Sequence, residues 1–327
     1  MATPGCDYLS ICDLHVRDFD GDGIDSGGAR VMECCDVHVD HCAQGIVVRN
    51  TGLLDCCHVE RCSSHGIAWV KSAGSSCVFV CDDGECRQCG GHGIAMFCDC
   101  SQGDCTFCVC DCDCVSNGQD GIHLDCVAPG GSAGASCTGS LSDCRCVSNS
   151  GFGSRASTAG SPRCVMQVAD CCNNSNALGG MRCFSLTCDV MDVTCCDNGG
   201  HGLWLDACSG SSCECCVTCR NGVANGSSGV FISKGTRNSV CECSSHSNGA
   251  HGVCLDQQCV SVCVTECDCS GNLTSGFTLQ SPSCSALWNT ASGSPQNFAV
   301  NPSAPVAVIT GADITTSTNP HCNYSFT

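Results

Sequence analysis

Apolar residues along this chain come in short bursts and never in long runs. The most regular burst is a glycine, an apolar residue, one variable residue and a second apolar residue. It reads GIVV at 45–48, GIAW at 66–69, GIAM at 93–96, GIHL at 121–124, GMRC at 180–183, GLWL at 202–205, GVFI at 229–232, GVCL at 252–255 and GFTL at 276–279. With the weaker copies GDGIDSG at 21–27 and GFGS at 151–154, eleven copies lie between Gly23 and Gly276, about 25 residues apart. Nine and seven residues before a glycine stands a second small or apolar pair, as in Leu14/Val16, Cys57/Val59, Val193/Cys195 and Cys267/Cys269. Four before it stands Phe19, Cys62, Asn198 or Asn272 in the same copies. Alternation with period two followed by a turn residue predicts a strand and a tight corner. A third apolar stretch, such as CVFVC at 77–81 or CVMQV at 164–168, precedes it in the longer copies. No segment carries the i, i+3, i+4, i+7 spacing of a helix over three turns. Each repeat therefore predicts two or three very short strands and no helix.

Such a unit cannot bury its apolar face alone, and stacking copies is what creates a continuous core. On the G-[IVLF]-x-[VLIW] strand and the Asn-containing corner, residues 12–280 resemble the right-handed parallel β-helix repeat proteins, the pectate-lyase-like architecture. The resemblance implies an all-β chain: a single-stranded right-handed parallel β-helix (solenoid) of about eleven coils with a C-terminal cap. The coils are expected over 1–284 and a cap or docking segment over 285–327, which keeps one cysteine, Cys322, and in which APVAVITGADI (304–314) reads as a strand. An oligomer contact is expected through that segment. A Cys-dense β-helix is also similar to chains encoded by amoeba-infecting giant viruses and chlamydia-like bacteria. That likeness implies a virion or cell-surface component.

Cysteine changes the picture most. There are 44 in 327 residues, and they sit where this architecture usually places Val, Ile or Asn. Candidate cross-links or thiol ladders are Cys34, Cys35, Cys56, Cys57, Cys112, Cys114, Cys171, Cys172, Cys195, Cys196, Cys267 and Cys269. Neighbours on a strand point to opposite faces, so an adjacent pair does not simply bond to itself. Three states stay open: buried thiols acting as small hydrophobes, disulfides between neighbouring coils, and thiolate–metal clusters. Cys216 and Cys219 frame a C-x₂-C, but no tidy zinc-knuckle spacing is present, so no metal site is assigned, and no cofactor motif is present. The net charge of −19 excludes a nucleic-acid backbone or an anionic membrane as partner. No apolar run is long enough to span a bilayer. The N-terminal MATPGCDYLS has neither the basic nor the apolar segment of a secretory signal, which leaves a virion, surface or extracellular location without a visible route to it.

Candidate chemistry is sparse. The second residue after each glycine is expected to point outwards, giving the series Val47, Ala68, Ala95, His123, Gly153, Arg182, Trp204, Phe231, Cys254 and Thr278. Arg182, Trp204 and Phe231 fall on successive coils as an aromatic strip with a cation at one end, a pattern suited to a sugar or a partner side chain. Asp206 and Asp256 share one offset two coils apart, roughly 10 Å at strand spacing, long for a hydrolytic pair. Insertions and six basic residues (Arg49, Lys71, Arg155, Arg163, Lys234 and Arg237) follow the glycine strand at one corner, where an anionic group such as a uronic acid is a candidate ligand. His65, His92, His201 and His251 each precede a glycine, and a group repeated at one offset reads as a ladder. Asp20, Asp22 and Asp25 read as a first-coil turn, since no distal Glu completes a calcium loop. The Arg-x-Lys signature of β-helix polygalacturonases and the DPHD run of β-helix epimerases are both missing, so no catalytic residue is assigned. The leading expectation is a non-enzymatic structural or surface-recognition solenoid, with glycans or other surface proteins as partners. The alternative is a polysaccharide-active enzyme, a lyase, hydrolase or epimerase, working along the loop-rich face.

Overall fold

The computed structural model describes residues 7–71, 76–101, 103–128, 136–159, 163–306, 309–310 and 322–326. The chain is a right-handed parallel β-helix. Among the described residues there is no helix, and so none long and apolar enough to cross a membrane. Two compact units, 1–172 and 173–327, are built on the same plan.

In the first unit the glycine motif supplies one sheet: Ile24–Asp25, Ile46–Val48, Ile67–Lys71, Ile94–Asp99, Ile122–Val127 and Phe152–Ala159. Ile46, Ile67, Ile94 and Ile122 stand in register and fully buried. The degraded copy is shifted by two residues: Ser154, not Phe152, stands opposite Ile122, so Gly153 takes the place of the motif glycine. The second unit repeats this with Gly179–Phe184, Leu203–Asp206, Val230–Ser233, His251–Leu255, Ser275–Leu279 and Gln296–Val300. Its inner ladder runs Met181, Leu203, Val230, Val253, Phe277, Phe298. The last of these strands, with Ser285–Leu287 and Thr290–Ser292, carries the coil pattern on to Val300, inside the segment read as a cap. Of 304–314, Ile309–Thr310 pairs with Asn323–Phe326, and 307–308 and 311–314 lie outside the described residues.

The glycine is required by close approach. A Cβ on Gly93 would lie 2.7 Å from the Gly121 carbonyl and 2.9 Å from the Cys114 sulfur. Any side chain there would push the coils apart. The remaining strands of each coil form the second sheet, where the role of cysteine is explicit. Val16, Val39, Val59, Cys86, Cys114 and Cys146 are consecutive register partners on one inward column. A thiol thus takes the place of an isopropyl group at an unchanged position, as expected for a residue that packs as a small hydrophobe. Cys34, Cys57, Cys112, Cys114, Cys171, Cys195, Cys267 and Cys269 are buried, Cys35 and Cys172 half-buried, and Cys56 exposed. Cys196 is bonded to its register partner Cys219 in the next coil. Cys216, the other half of the C-x₂-C, lies instead with Cys213 and Cys243. Cys34, Cys35, Cys56, Cys57, Cys112, Cys114, Cys171, Cys267 and Cys269 carry free thiols.

Asparagine does at the corners what cysteine does in the strands. In the second unit Asn176, Asn198, Asn221, Asn248 and Asn272 form a buried column. Each side-chain amide donates to the next side-chain oxygen at 2.9–3.2 Å. Asn117 and Asn149 do the same in the first. This satisfies the corner amides that a sharp bend would otherwise leave unpaired in the interior.

Candidate functional site

The outer face of the glycine sheet differs from expectation. Val47, Ala68, Ala95, His123, Gly153, Cys254 and Thr278 are buried rather than solvent-facing. In the first unit, rings stack beside this face. His65 stacks on His92 at 5.1 Å and His92 on His123 at 4.2 Å, with Phe97 tilted against His65 and His123. The ladder reading of the histidines holds at the level of single hydrogen bonds. His65 Nδ1 accepts the His92 amide, His92 Nδ1 the Asp120 amide, and His201 Nδ1 the Ser228 amide, at 3.0–3.1 Å. An imidazole nitrogen that accepts is unprotonated, and burial enforces the neutral form. Burial, joined by the His123 ring, lowers His92 to about 3, and burial lowers His201 to about 4.

In the first unit the column changes residue at Asp120, and a polar cluster forms around it. Asp120 Oδ2 lies 2.9 Å from His123 Nδ1, while Oδ1 accepts the Phe152 amide at 2.8 Å. Arg155 Nε stands 3.5 Å from the same carboxylate. Burial pushes the Asp120 pKa up, but the His123 hydrogen bond, the Phe152 amide and the Arg155 charge outweigh it and leave the pKa below the usual value. Asp120 is therefore ionised, and the His123 ring nitrogen facing it donates. A carboxylate that fixes the orientation of an imidazole, beside a guanidinium, is an arrangement able to move protons. Asp125, one strand position outward, accepts from Ser157 Oγ at 2.8 Å.

In the second unit the strip predicted from sequence is assembled. The Arg182 guanidinium lies over the Trp204 indole, 4.0 Å from the ring centroid, and donates to Asp206 at 2.7 Å. Asp206 also accepts from Ser233 Oγ at 2.9 Å, and that hydroxyl accepts from Trp204 Nε1 at 2.9 Å. Phe231 packs 4.6 Å from His201 and 5.9 Å from Trp204. Trp204, Phe231 and Arg182 are half-buried, Phe184 is exposed and Asp206 is buried. Asp256 does not join them. Its carboxylate accepts the backbone amides of Lys234 and Gln258, which makes it a turn cap.

Three of the six basic residues of the loop corner are committed. Arg49 forms a two-pronged pair with Asp25, Arg155 faces Asp120, and Lys71 is buried and donates to the carbonyls of Asp99 and Gly103. Asp25 also caps Gly27, in keeping with a first-coil turn. Residues 72–75, 129–135 and 160–162 of the insertions lie outside the described residues. Sequence reasoning overlooked Asp120 and Arg155 as a site. The available signal was the exception in the ladder, Asp120 at the offset where other coils carry histidine.

No family model matches the chain, and no curated protein matches it. Among solved structures it is similar to the periplasmic alginate epimerase AlgG, with a TM-score of 0.62 and 11% identity over 93% of this chain and 76% of that one. It is similar to the A-module of the Azotobacter vinelandii mannuronan C-5 epimerase AlgE6, with a TM-score of 0.56 and 12% identity over 93% and 90%. Tailspike protein 3 of bacteriophage CBA120 aligns with a TM-score of 0.45 and 11% identity over 91% and 50%. The likeness is one of fold. These are parallel β-helix proteins, and the resemblance read from the repeat is correct at that level.

Proposed function

We propose that this chain is a glycan-recognition solenoid, a component of a virion or cell surface, which binds a polysaccharide on the outer face of the glycine sheet. The observation that carries the reading is the Arg182–Trp204 stack. A guanidinium is held face-on to an indole and pinned by Asp206, which is tied in turn to Ser233 and so back to the indole. Every polar member of this group is positioned by another before a ligand arrives, and pre-organisation lowers the ordering cost of binding. The half-exposed aromatic edges of Trp204, Phe231 and Phe184 offer apolar surface to sugar C–H faces, and the guanidinium offers donors to hydroxyl or carboxylate oxygens. The two fold neighbours with the higher TM-scores are named for alginate and mannuronan, both polysaccharides. The ligand class proposed here rests on the residues. A glycan array spanning neutral and acidic polysaccharides tests it: binding that falls about tenfold in W204A and R182A supports the reading, and no binding to any member overturns it.

The Asp120–His123–Arg155 cluster favours a second reading, a polysaccharide-active enzyme. An oriented imidazole beside a guanidinium can take a proton next to a carboxylate whose developing charge the guanidinium stabilises. Incubation with acidic and neutral polysaccharides, followed by reducing-end and product analysis, separates the two. Turnover lost in H123A and D120N would establish the enzyme and displace the purely structural reading.

A further inference from the structure

On the second sheet of the first unit, far in sequence from the groups just described, His38, His58 and Glu60 meet on one outward face. His58 and Glu60 are two apart on the strand His58–Glu60 and so share a face. His38, on the strand Val31–Asp40, is the direct register partner of His58. One donor atom from each of the three lies within 4.8 Å of the others. We propose that these residues form a zinc site with two imidazole ligands and one carboxylate.

Three observations support it. First, His38 Nε2 is buried and has no hydrogen-bond partner, while Glu60 Oε1 stands 3.7 Å away. A buried imidazole nitrogen left unpaired is costly unless something binds it. Second, the His38 ring is fixed on its other side by His15, stacked at 4.4 Å and 8° from parallel. Third, His58 Nδ1 is paired with the carboxylate of Glu85. A carboxylate on one ring nitrogen is the outer-shell support that accompanies metal ligation through the other.

Two imidazoles and one carboxylate suit Zn²⁺ better than calcium or magnesium, which prefer all-oxygen shells. Three protein ligands leave a fourth position for water or a partner group. The competing cation is Arg61, which pairs with Glu60. Arg61 holds the same Oε1 that faces His38, so zinc has to share or replace that contact.

The many thiols of this chain also take up zinc, so the test reads a difference. Wild-type protein and the H38Q/H58Q double variant are stripped with chelator under reducing conditions and dialysed against buffered Zn²⁺. Bound metal is then measured by inductively coupled plasma mass spectrometry. One equivalent less zinc in the variant, with unchanged circular dichroism, supports the site, and equal content overturns it. If the double variant does not fold, crystals of the wild type soaked in Zn²⁺ decide the matter. An anomalous peak among His38, His58 and Glu60 supports the proposal, and its absence there overturns it.

Discussion

The smallest unit of meaning in this chain is a side chain asked to hydrogen-bond to the next coil. His92 and His201 accept a backbone amide while packed against other rings, and both are held neutral. Their folded-state pKa values, about 3 and about 4, lie below the usual histidine value near 6.5. The unfolded chain thus binds protons that the folded chain does not between roughly pH 6.5 and 4, so stability falls as pH drops through that window and is flat above it. Melting temperature measured from pH 8 to 4.5 should show this slope, and an H92N/H201N variant should show less of it. An equal slope in both proteins would contradict the assignment. At the same scale, R182A should weaken polysaccharide binding by far more than it lowers melting temperature, since the buried Asp206 carboxylate keeps Ser233 as a partner. A large fall in stability instead would mark the stack as structural.

Strands and corners show which readings were legible. The glycine motif announced itself because a Cβ at Gly93 or its equivalents collides with the neighbouring coil, so the sequence has no freedom there. G93V should cost about 1–3 kcal/mol or more, measured by denaturant unfolding. The inward ladder from Val16 to Cys146 was legible as well, since period-two alternation survives the change from valine to cysteine. What was not legible was the burial of the outward series. Alternation says which way a side chain leaves its strand, not what lies across it. The same limit hid Asp120, whose partners His123 and Arg155 reach it from two other strand positions. Cysteine state belongs to this scale too. Burial pushes Cys34, Cys208, Cys254 and Cys259 up to about 12, so these thiols stay protonated and unreactive at neutral pH. Alkylation of the folded protein should label exposed Cys12 ahead of them, and non-reducing peptide mapping should recover Cys196 joined to Cys219.

For the molecule as a whole, the fold was readable from the repeat alone because every coil imposes the same demands at the same offsets. A repeated signal can be counted. A binding site is the opposite case, a departure from the repeat that occurs once, and one chain gives little to separate it from drift. The grouping of Arg182, Trp204, Phe231 and Asp206, for which binding is our proposal, was legible because three successive coils depart in chemically related ways; Asp256, at the same offset, serves a turn instead. The acidic balance, with 32 acidic against 13 basic residues, fits the pairing of the corner cations Arg49 and Arg155 with carboxylates. Isothermal titration of the best array polysaccharide into wild type, W204A and R182A tests the central claim most directly. The account predicts saturable binding by the wild type and roughly tenfold weaker binding by each variant. Equal affinity in all three proteins would contradict it.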